Sequence, residues 1–314
     1  MKMRPFVPLK DKTWFRTGGP ARWFCEPTTD AEFSRAAAFA HDKGIPLVAL
    51  GEGANVLVSD DGIAALVVRP RNTGIRIVPG GGRGRALVCA GAGASVADLI
   101  EFCLDRRLIG LEEFSGIPGS VGGAVFINIH YFDHLLAECV AHGRVMDVRT
   151  GSIACVAPSW FRFGYDQSRL REGTHLLVDA TFSLRRGTAI EAAYAKGRRD
   201  EMIRQRHRRY PTERTCGSFF RNFLTSELRR ARKPTTIASV AFYLDLLGIK
   251  GVLRVGGARV SPKHANMIEN CGTATARDIA RLARTMQTLV RRRFGLVPQP
   301  ECQLLGFAGR QTLN

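Results

Sequence analysis

No stretch of this chain approaches the ~20 consecutive apolar residues that crossing a membrane requires, so no membrane partner is expected. The opening MKMRPFVPLKDKTWFRTGG carries positive charge with no apolar run behind it. No secretory signal is therefore expected, and a cytoplasmic location is the expectation. The eight cysteines never form a C-x-x-C pair, and none stands at metal-ligand spacing from a histidine. Free thiols and no structural metal are the expectation. Cys216 lies two residues from Ser218, and it too reads as a small packing residue. Repeats and low-complexity tracts are also missing.

Acidic residues are scarce, 28 against 46 Lys and Arg, which leaves a net charge of +18. Such an excess points to nucleic acid, an anionic membrane, or a small ligand rich in phosphate. The densest clusters, RQRHRRY (204–210) and LRRARKP (228–234), lack the interleaved aromatics of a base-stacking platform. No zinc-finger or RNA-recognition signature accompanies them. No specific nucleic-acid partner is expected; a phosphorylated small ligand remains.

At 314 residues, 45% apolar and 24% charged, the chain is long enough for two or three folded domains. Its first third alternates strands with helices. ARWFCEP is strand-like, and TTDAEFSRAAAFAHDKG predicts a helix with a capping box from Thr29 to Glu32 and a stop at Gly44. IPLVAL, ALVVRP, IRIVPG and ALVCAGAG read as strands. SVADLIEFCLDRRL predicts a helix capped by Ser95, with Val96, Leu99, Ile100, Cys103 and Leu104 on one face. Further strands are expected at GRVMDVRT, SIACVAP and HLLVDATFSL. The character changes near residue 188, where a basic helix runs toward Pro211 and a new domain is expected. The 3.6-residue spacing of Ile279, Leu282, Ala283, Met286, Leu289 and Val290 predicts a last helix, ended by Gly295.

Two glycine-rich loops stand out. GEGANVLVSDDG (51–62) is not the dinucleotide fingerprint, because the third glycine is missing and a strand follows it. Gly51 and Gly53 still free backbone N–H groups to approach a pyrophosphate, and Asn55 and Ser59 add side-chain donors. In GIPGSVGGAVFIN (116–128), Gly116, Gly119, Gly122 and Gly123 surround Ser120 in a second such surface. One glycine turn is commonly only a turn. Two in one α/β chain suggest one long, phosphate-bearing ligand.

With these loops the sequence resembles the UDP-N-acetylenolpyruvoylglucosamine reductase family, FAD enzymes that complete UDP-N-acetylmuramate in peptidoglycan synthesis. The likeness runs through TWFRTGGPA (13–21), LGEGANVLVSDDG (50–62), GLEEFSGIPGSVGGAVFIN (110–128), FGY (163–165), CGSFFRN (216–222), GIKGVLRVGGARVSPKHANMIEN (248–270) and PECQLLG (300–306). It implies an α/β (α+β) fold, a two-subdomain FAD-binding fold of the vanillyl-alcohol-oxidase/PCMH type plus a C-terminal substrate-binding domain. The parts would be 1–74, 75–187 and 188–300, with 301–314 as a tail returning to the active site. The chain looks like the shorter form, without an inserted tyrosine loop, acting as monomer or homodimer.

Residue by residue, the resemblance implies FAD contacts from Gly51, Gly53, Ala54, Asn55, Ser59 and Asp60, and from Gly119, Ser120, Gly122 and Gly123. Ser218 matches the family's proton donor and Glu301 its closing glutamate. Tyr165, Arg221, Asn222 and Lys250 match positions associated with a nucleotide-sugar substrate. Arg221 stands where lysine is usual and offers a bidentate grip on a diphosphate. NADPH is the implied electron donor. Taken alone, Ser218 would be a turn hydroxyl, Glu301 a surface carboxylate and His264 a structural histidine.

The match fails at two places. After FGY the family continues with an arginine that pairs with the substrate carboxylate, whereas this chain has Asp166. Exchanging attraction for repulsion near 4 Å changes the interaction by roughly 2–8 kcal/mol. Arg162 and Arg169 are the candidate substitutes. Second, IHYFDH (129–134) replaces a run of small residues, and His130 reads as cavity filler, as a new acid/base, or as a flavin attachment point. Two functions follow: the reductase with a rearranged carboxylate clamp, or a specialised relative acting on a nucleotide or sugar without the carboxylate.

Overall fold

A computed structural model of the chain describes residues 1–229 and 236–307. The chain packs as two units built from interleaved segments. Residues 1–6, 22–52 and 64–206 form the first; residues 7–21, 53–63 and the chain from 207 onward form the second. One crossing falls inside the first glycine loop, between Glu52 and Gly53. Consecutive sequence blocks had been expected instead. Part of the LRRARKP cluster and the end of the expected tail (230–235 and 308–314) lie outside the described residues.

The first unit holds most of one sheet and the whole of another. In one, strands Arg4–Pro8, Pro20–Cys25, Ile63–Val68 and Leu47–Ala49 lie side by side in that order, the last two parallel. Helix α1 (Asp30–Asp42) buries Phe33, Ala36, Ala37 and Ala40 against Cys25, Leu66 and Val68. Its capping differs from the sequence pattern. Thr29 is the N-cap but its side chain makes no cap bond, and the Glu32 carboxylate instead accepts the N–H and hydroxyl of Thr28, both at 2.8 Å. Gly44 ends the helix at φ +60, a conformation that costs glycine least.

The other sheet runs Ile153–Val156, Val140–Asp147, His175–Arg186, Arg85–Gly91 and Ile75–Val78, antiparallel throughout, with Leu108–Ile109 beside the end of the long strand. Helix α2 (Val96–Asp105) buries the five residues its periodicity predicts, and Ser95 Oγ accepts the Asp98 N–H at 3.0 Å. Helix α3 (Val121–Ile127) follows the second glycine loop with Ser120 as N-cap.

Helix α4 (Ala189–Arg209) belongs to the first unit as far as Arg206. Its few small apolar residues explain this: Ala192 and Ala195 are buried, and Lys196 and Arg198 pair with Asp105 and Glu113 at 2.6 and 2.7 Å.

The second unit contains α5 (Thr225–Leu228), α6 (Val240–Leu246) and α7 (Ala276–Phe294), with short antiparallel strands at Arg254–Val255, Ala258–Val260 and Ile268–Asn270. On α7 the expected stripe is buried apart from Leu289, which is half-buried. Thr275 and Asp278 form a reciprocal cap, and Gly295 closes the helix at φ +76. The core gathers Phe15, Leu57, Phe219, Phe220, Tyr243 and Met286. Strand Gln303–Leu305 lies parallel to Val56–Val58. No described helix is long and apolar enough to cross a membrane.

Candidate active site

In the first unit the structure brings the two glycine loops into contact. A Cβ at Gly51 would fall 2.4 Å from Ser120 Oγ, so only glycine lets the loops approach this closely. The second loop is fixed by its own backbone: Val121 N–H donates to the Ala94 carbonyl at 2.8 Å, Gly122 N–H to Ala92 at 2.9 Å, and Gly123 N–H to Ser120 Oγ at 3.2 Å. Gly119, at φ +138, has nothing within 4 Å of where a Cβ would stand. Its surroundings leave room for a ligand. Glu52, a residue the sequence reading passed over, has its carboxyl pushed up by burial, with Arg69 acting against that shift.

In the second unit Gly53 approaches Lys12 so closely that a Cβ would meet its carbonyl oxygen at 2.2 Å. Trp14 N–H donates to the Gly53 carbonyl at 3.0 Å, which ties the TWFRTGG motif to the loop. Ala54 is half-buried. Beside it both polar atoms of the Asn55 side chain are buried with no hydrogen-bond partner. Leaving a buried polar group unmade costs roughly 1–3 kcal/mol. A ligand that satisfies this amide removes that cost, so Asn55 fits the cofactor contact the family motif assigns it. Ser59 Oγ accepts the Asp61 N–H at 3.2 Å. Asp60 has a duty the sequence did not reveal: its two carboxylate oxygens accept the N–H groups of Ala276 and Arg277 at 2.8 and 2.9 Å.

Ser218 sits on a segment held from both sides. Phe219 N–H donates to the Asn266 carbonyl at 2.8 Å, and the Asn266 side chain bonds both backbone groups of Phe220 at 3.1 and 2.7 Å. On the other side Glu301 N–H donates to the Phe219 carbonyl at 2.9 Å, so the segments bearing Ser218 and Glu301 lie next to each other. Gln303 N–H donates to the Asn55 carbonyl at 3.0 Å, which places the first loop against the same segment. Phe219 and Phe220 are fully buried below Ser218. Asn266 was missed by the sequence reading; its signal was a polar residue inside the apolar run around KHAN. At His264, Nδ1 accepts the Asn266 N–H at 3.3 Å, and burial holds its pKa below the ordinary value.

The expected substrate residues have partners. Arg221 places both Nη atoms 2.8 Å from the Glu227 carboxylate, so Glu227 competes with any diphosphate for that fork. Asn222 Oδ1 accepts the Val240 N–H at 3.3 Å, and Lys250 Nζ lies 3.3 Å from Asp245. In the first unit Tyr165 packs on the His130 ring at 4.5 Å between centroids. Arg162 and Arg169, the anticipated substitutes for the missing arginine, both pair with Glu172 at 3.7 Å. Asp166 is 5% exposed at φ +52, and its carboxylate lies 3.3 Å from Nδ1 of His130.

Comparison with known proteins accounts for nearly the whole chain. The family model for the UDP-N-acetylenolpyruvoylglucosamine reductase C-terminal domain matches residues 209–305, and that for an FAD binding domain matches residues 21–156. The reductase of Synechococcus sp. (strain JA-3-3Ab) is 33% identical over 302 residues, covering 96% of this chain and 90% of that protein. That of Chloroherpeton thalassium is 34% identical over 303 residues, covering 95% and 92%. Among solved structures, UDP-N-acetylenolpyruvylglucosamine reductase from Thermus caldophilus matches with a TM-score of 0.76 at 28% identity, covering 97% of this chain and all of that one. The expected fold class, an α/β (α+β) FAD-binding domain followed by a C-terminal domain of reductase type, is the one these matches show.

Proposed function

The chain belongs to the UDP-N-acetylenolpyruvoylglucosamine reductase family of FAD-dependent oxidoreductases, and from this we propose that it reduces the enolpyruvyl double bond of a UDP-sugar with Ser218 as proton donor. The observation that carries the proposal is the pinning of the Ser218 segment between Asn266 and Glu301. A serine hydroxyl is a weak acid and serves as a proton donor only when its position is fixed.

Gly51, Gly53, Ala54, Asn55, Ser59, Gly119, Ser120, Gly122 and Gly123 would hold FAD, and Asp60 would brace the first loop from α7. Bound FAD would supply hydride-transfer chemistry between a nicotinamide donor and the enolpyruvyl group. The neighbouring carbon then takes its proton from Ser218 Oγ. Glu301, on the adjacent segment, polarises the enol, and the Phe219–Phe220 pair below keeps bulk water out. Arg221, Asn222, Lys250 and Tyr165 bind the nucleotide sugar, with Arg221 leaving Glu227 when a diphosphate arrives.

A second reading is favoured by Asp166, whose negative charge stands where the family carries an arginine: an oxidoreductase acting on a related nucleotide or sugar that lacks the carboxylate.

The test separates the half-reactions. FAD-loaded protein is reduced by NADPH without oxygen, then mixed with the enolpyruvyl UDP-sugar while flavin absorbance is followed. Wild-type protein should reoxidise rapidly. Ser218→Ala should be reduced normally and reoxidise ~10²- to 10⁴-fold more slowly, the range for loss of a positioned acid. Reoxidation of Ser218→Ala at the wild-type rate would remove the serine from the mechanism. A wild type indifferent to the substrate would favour the second reading.

A further inference from the structure

We infer that His130 and Asp166 work as one unit, in which His130 donates an N–H to the substrate carboxylate and Asp166 holds its ring for that purpose. The inference rests on the proposed function and names the group that takes over the carboxylate contact at that site.

His130, in the departing run 129–134, and Asp166, the residue in place of the family's arginine, are 36 positions apart, and the structure joins them. Nδ1 of His130 lies 3.3 Å from Oδ1 of Asp166, within ion-pair distance though without the alignment of a full hydrogen bond. Neither Nδ1 nor either Asp166 oxygen has any other hydrogen-bond partner among the described residues, and all three atoms are shielded from solvent. The nearby arginine does not change this, because Arg171 donates to the backbone carbonyl of Asp166 at 2.6 Å. Arg169 lies over the Trp160 ring. A carboxylate this buried is tolerated only when a cationic or donor group faces it. His130 is the one side chain within ion-pair reach of Asp166 among the described residues.

The surrounding scaffold fixes the pair. Asn128, fully buried and left-handed at φ 51, donates from Nδ2 to the Gly164 carbonyl and accepts the Ala137 N–H on Oδ1, each at 2.9 Å. One side chain thus binds the segment of His130 to the segment of Asp166. Ser168 adds a second tie, its hydroxyl donating to the Phe126 carbonyl at 2.6 Å. His130 and Leu135 are partners in the short hairpin 130–135, and Tyr165 packs on the imidazole.

With Nδ1 turned to Asp166, Nε2 is the ring's remaining polar atom, and 22% of the side chain is still accessible. A carboxylate facing Nδ1–H fixes the ring's orientation, and a ring that carries a proton on each nitrogen offers a charge-assisted Nε2–H to an anion. The arginine that the family carries at position 166 is therefore replaced by two residues, with the donor moved to His130. On this account the substrate keeps its acid.

Two substrates test this: the enolpyruvyl UDP-sugar and the same molecule with its carboxylate converted to carboxamide. His130→Ala should lower kcat/KM for the acid roughly 10- to 100-fold, the scale of one hydrogen bond to a charged group, and leave the carboxamide nearly unchanged. Flavin content and reduction by NADPH should stay at wild-type levels. His130→Gln, which keeps the bulk, should show the same selective loss. Asp166→Asn should weaken the acid substrate alone and add nothing in the His130→Ala background. Equal losses on both substrates would make His130 cavity filler, and fully additive losses would separate it from Asp166; either overturns the inference. A wild type that turns over neither substrate overturns the proposed function itself, and this inference with it.

Discussion

Oδ1 of Asp60 accepts the backbone N–H of Ala276 at 2.8 Å, across 216 positions of sequence, and Oδ2 of the same carboxylate takes the N–H of Arg277. A negative side chain thereby sits at the positive end of the 19-residue helix α7 and satisfies two of its unpaired amides. Asp60→Ala should therefore destabilise FAD-free protein by about 1–2 kcal/mol in urea unfolding, and Asp60→Asn by less, because the amide oxygen still accepts one N–H. A purely flavin-directed Asp60 would leave the FAD-free protein at wild-type stability.

Gly51 and Ser120 allow a sharper experiment on the cofactor loops. A methyl at position 51 would meet Ser120 Oγ at 2.4 Å but Ser120 Cβ at 3.6 Å, an ordinary contact. Gly51→Ala should force the loops apart and weaken FAD binding at least tenfold, roughly 1.4 kcal/mol. Gly51→Ala combined with Ser120→Ala removes the clashing oxygen and should regain most of that affinity, while losing the helix cap worth roughly 1 kcal/mol. Flavin fluorescence titration of the wild type and the two variants measures it. Equal affinity for the single and double variants would mean the clash is absorbed elsewhere.

Much of this architecture was legible because it is written in local patterns. The stripes of α2 and α7, the cap at Ser95 and the stop at Gly295 each depend on residues within a few turns of one another. What the sequence concealed is long-range. Nothing local to Asp60 announces a helix end 216 positions away that its carboxylate caps. The capping box at Thr29 failed because Thr28 offers Glu32 both its N–H and its hydroxyl. The polarity of helix α4 hides Ala192 and Ala195, the two small residues that it buries. Asp166 and His130 each read as an isolated anomaly, and only their 3.3 Å separation makes them a pair.

The thiols give a test of the two cores. Cys155 and Cys271 are exposed, whereas burial pushes the thiols of Cys25 and Cys103 from 9.0 to about 12 and that of Cys139 to about 11. Cys216, next to buried Cys302, is also driven upward by desolvation. Only a thiolate reacts quickly, so at pH 8 an aromatic disulfide reagent should modify Cys155 and Cys271 at once and reach all eight only in denaturant. The same shifts set a pH dependence. A thiol whose folded pKa lies above its unfolded value contributes stability in full below pH 9.0 and loses it as the pH rises toward 12. Each such thiol gives a slope of up to about 1.4 kcal/mol per pH unit in that window. Cys103→Ala should thus be less stable than wild type at pH 8 and draw level with it as the pH climbs from 9 to 11. A gap that stays constant would show that Cys103 ionises as readily in the native protein as in the unfolded chain, and that the interior behind α2 is not dry.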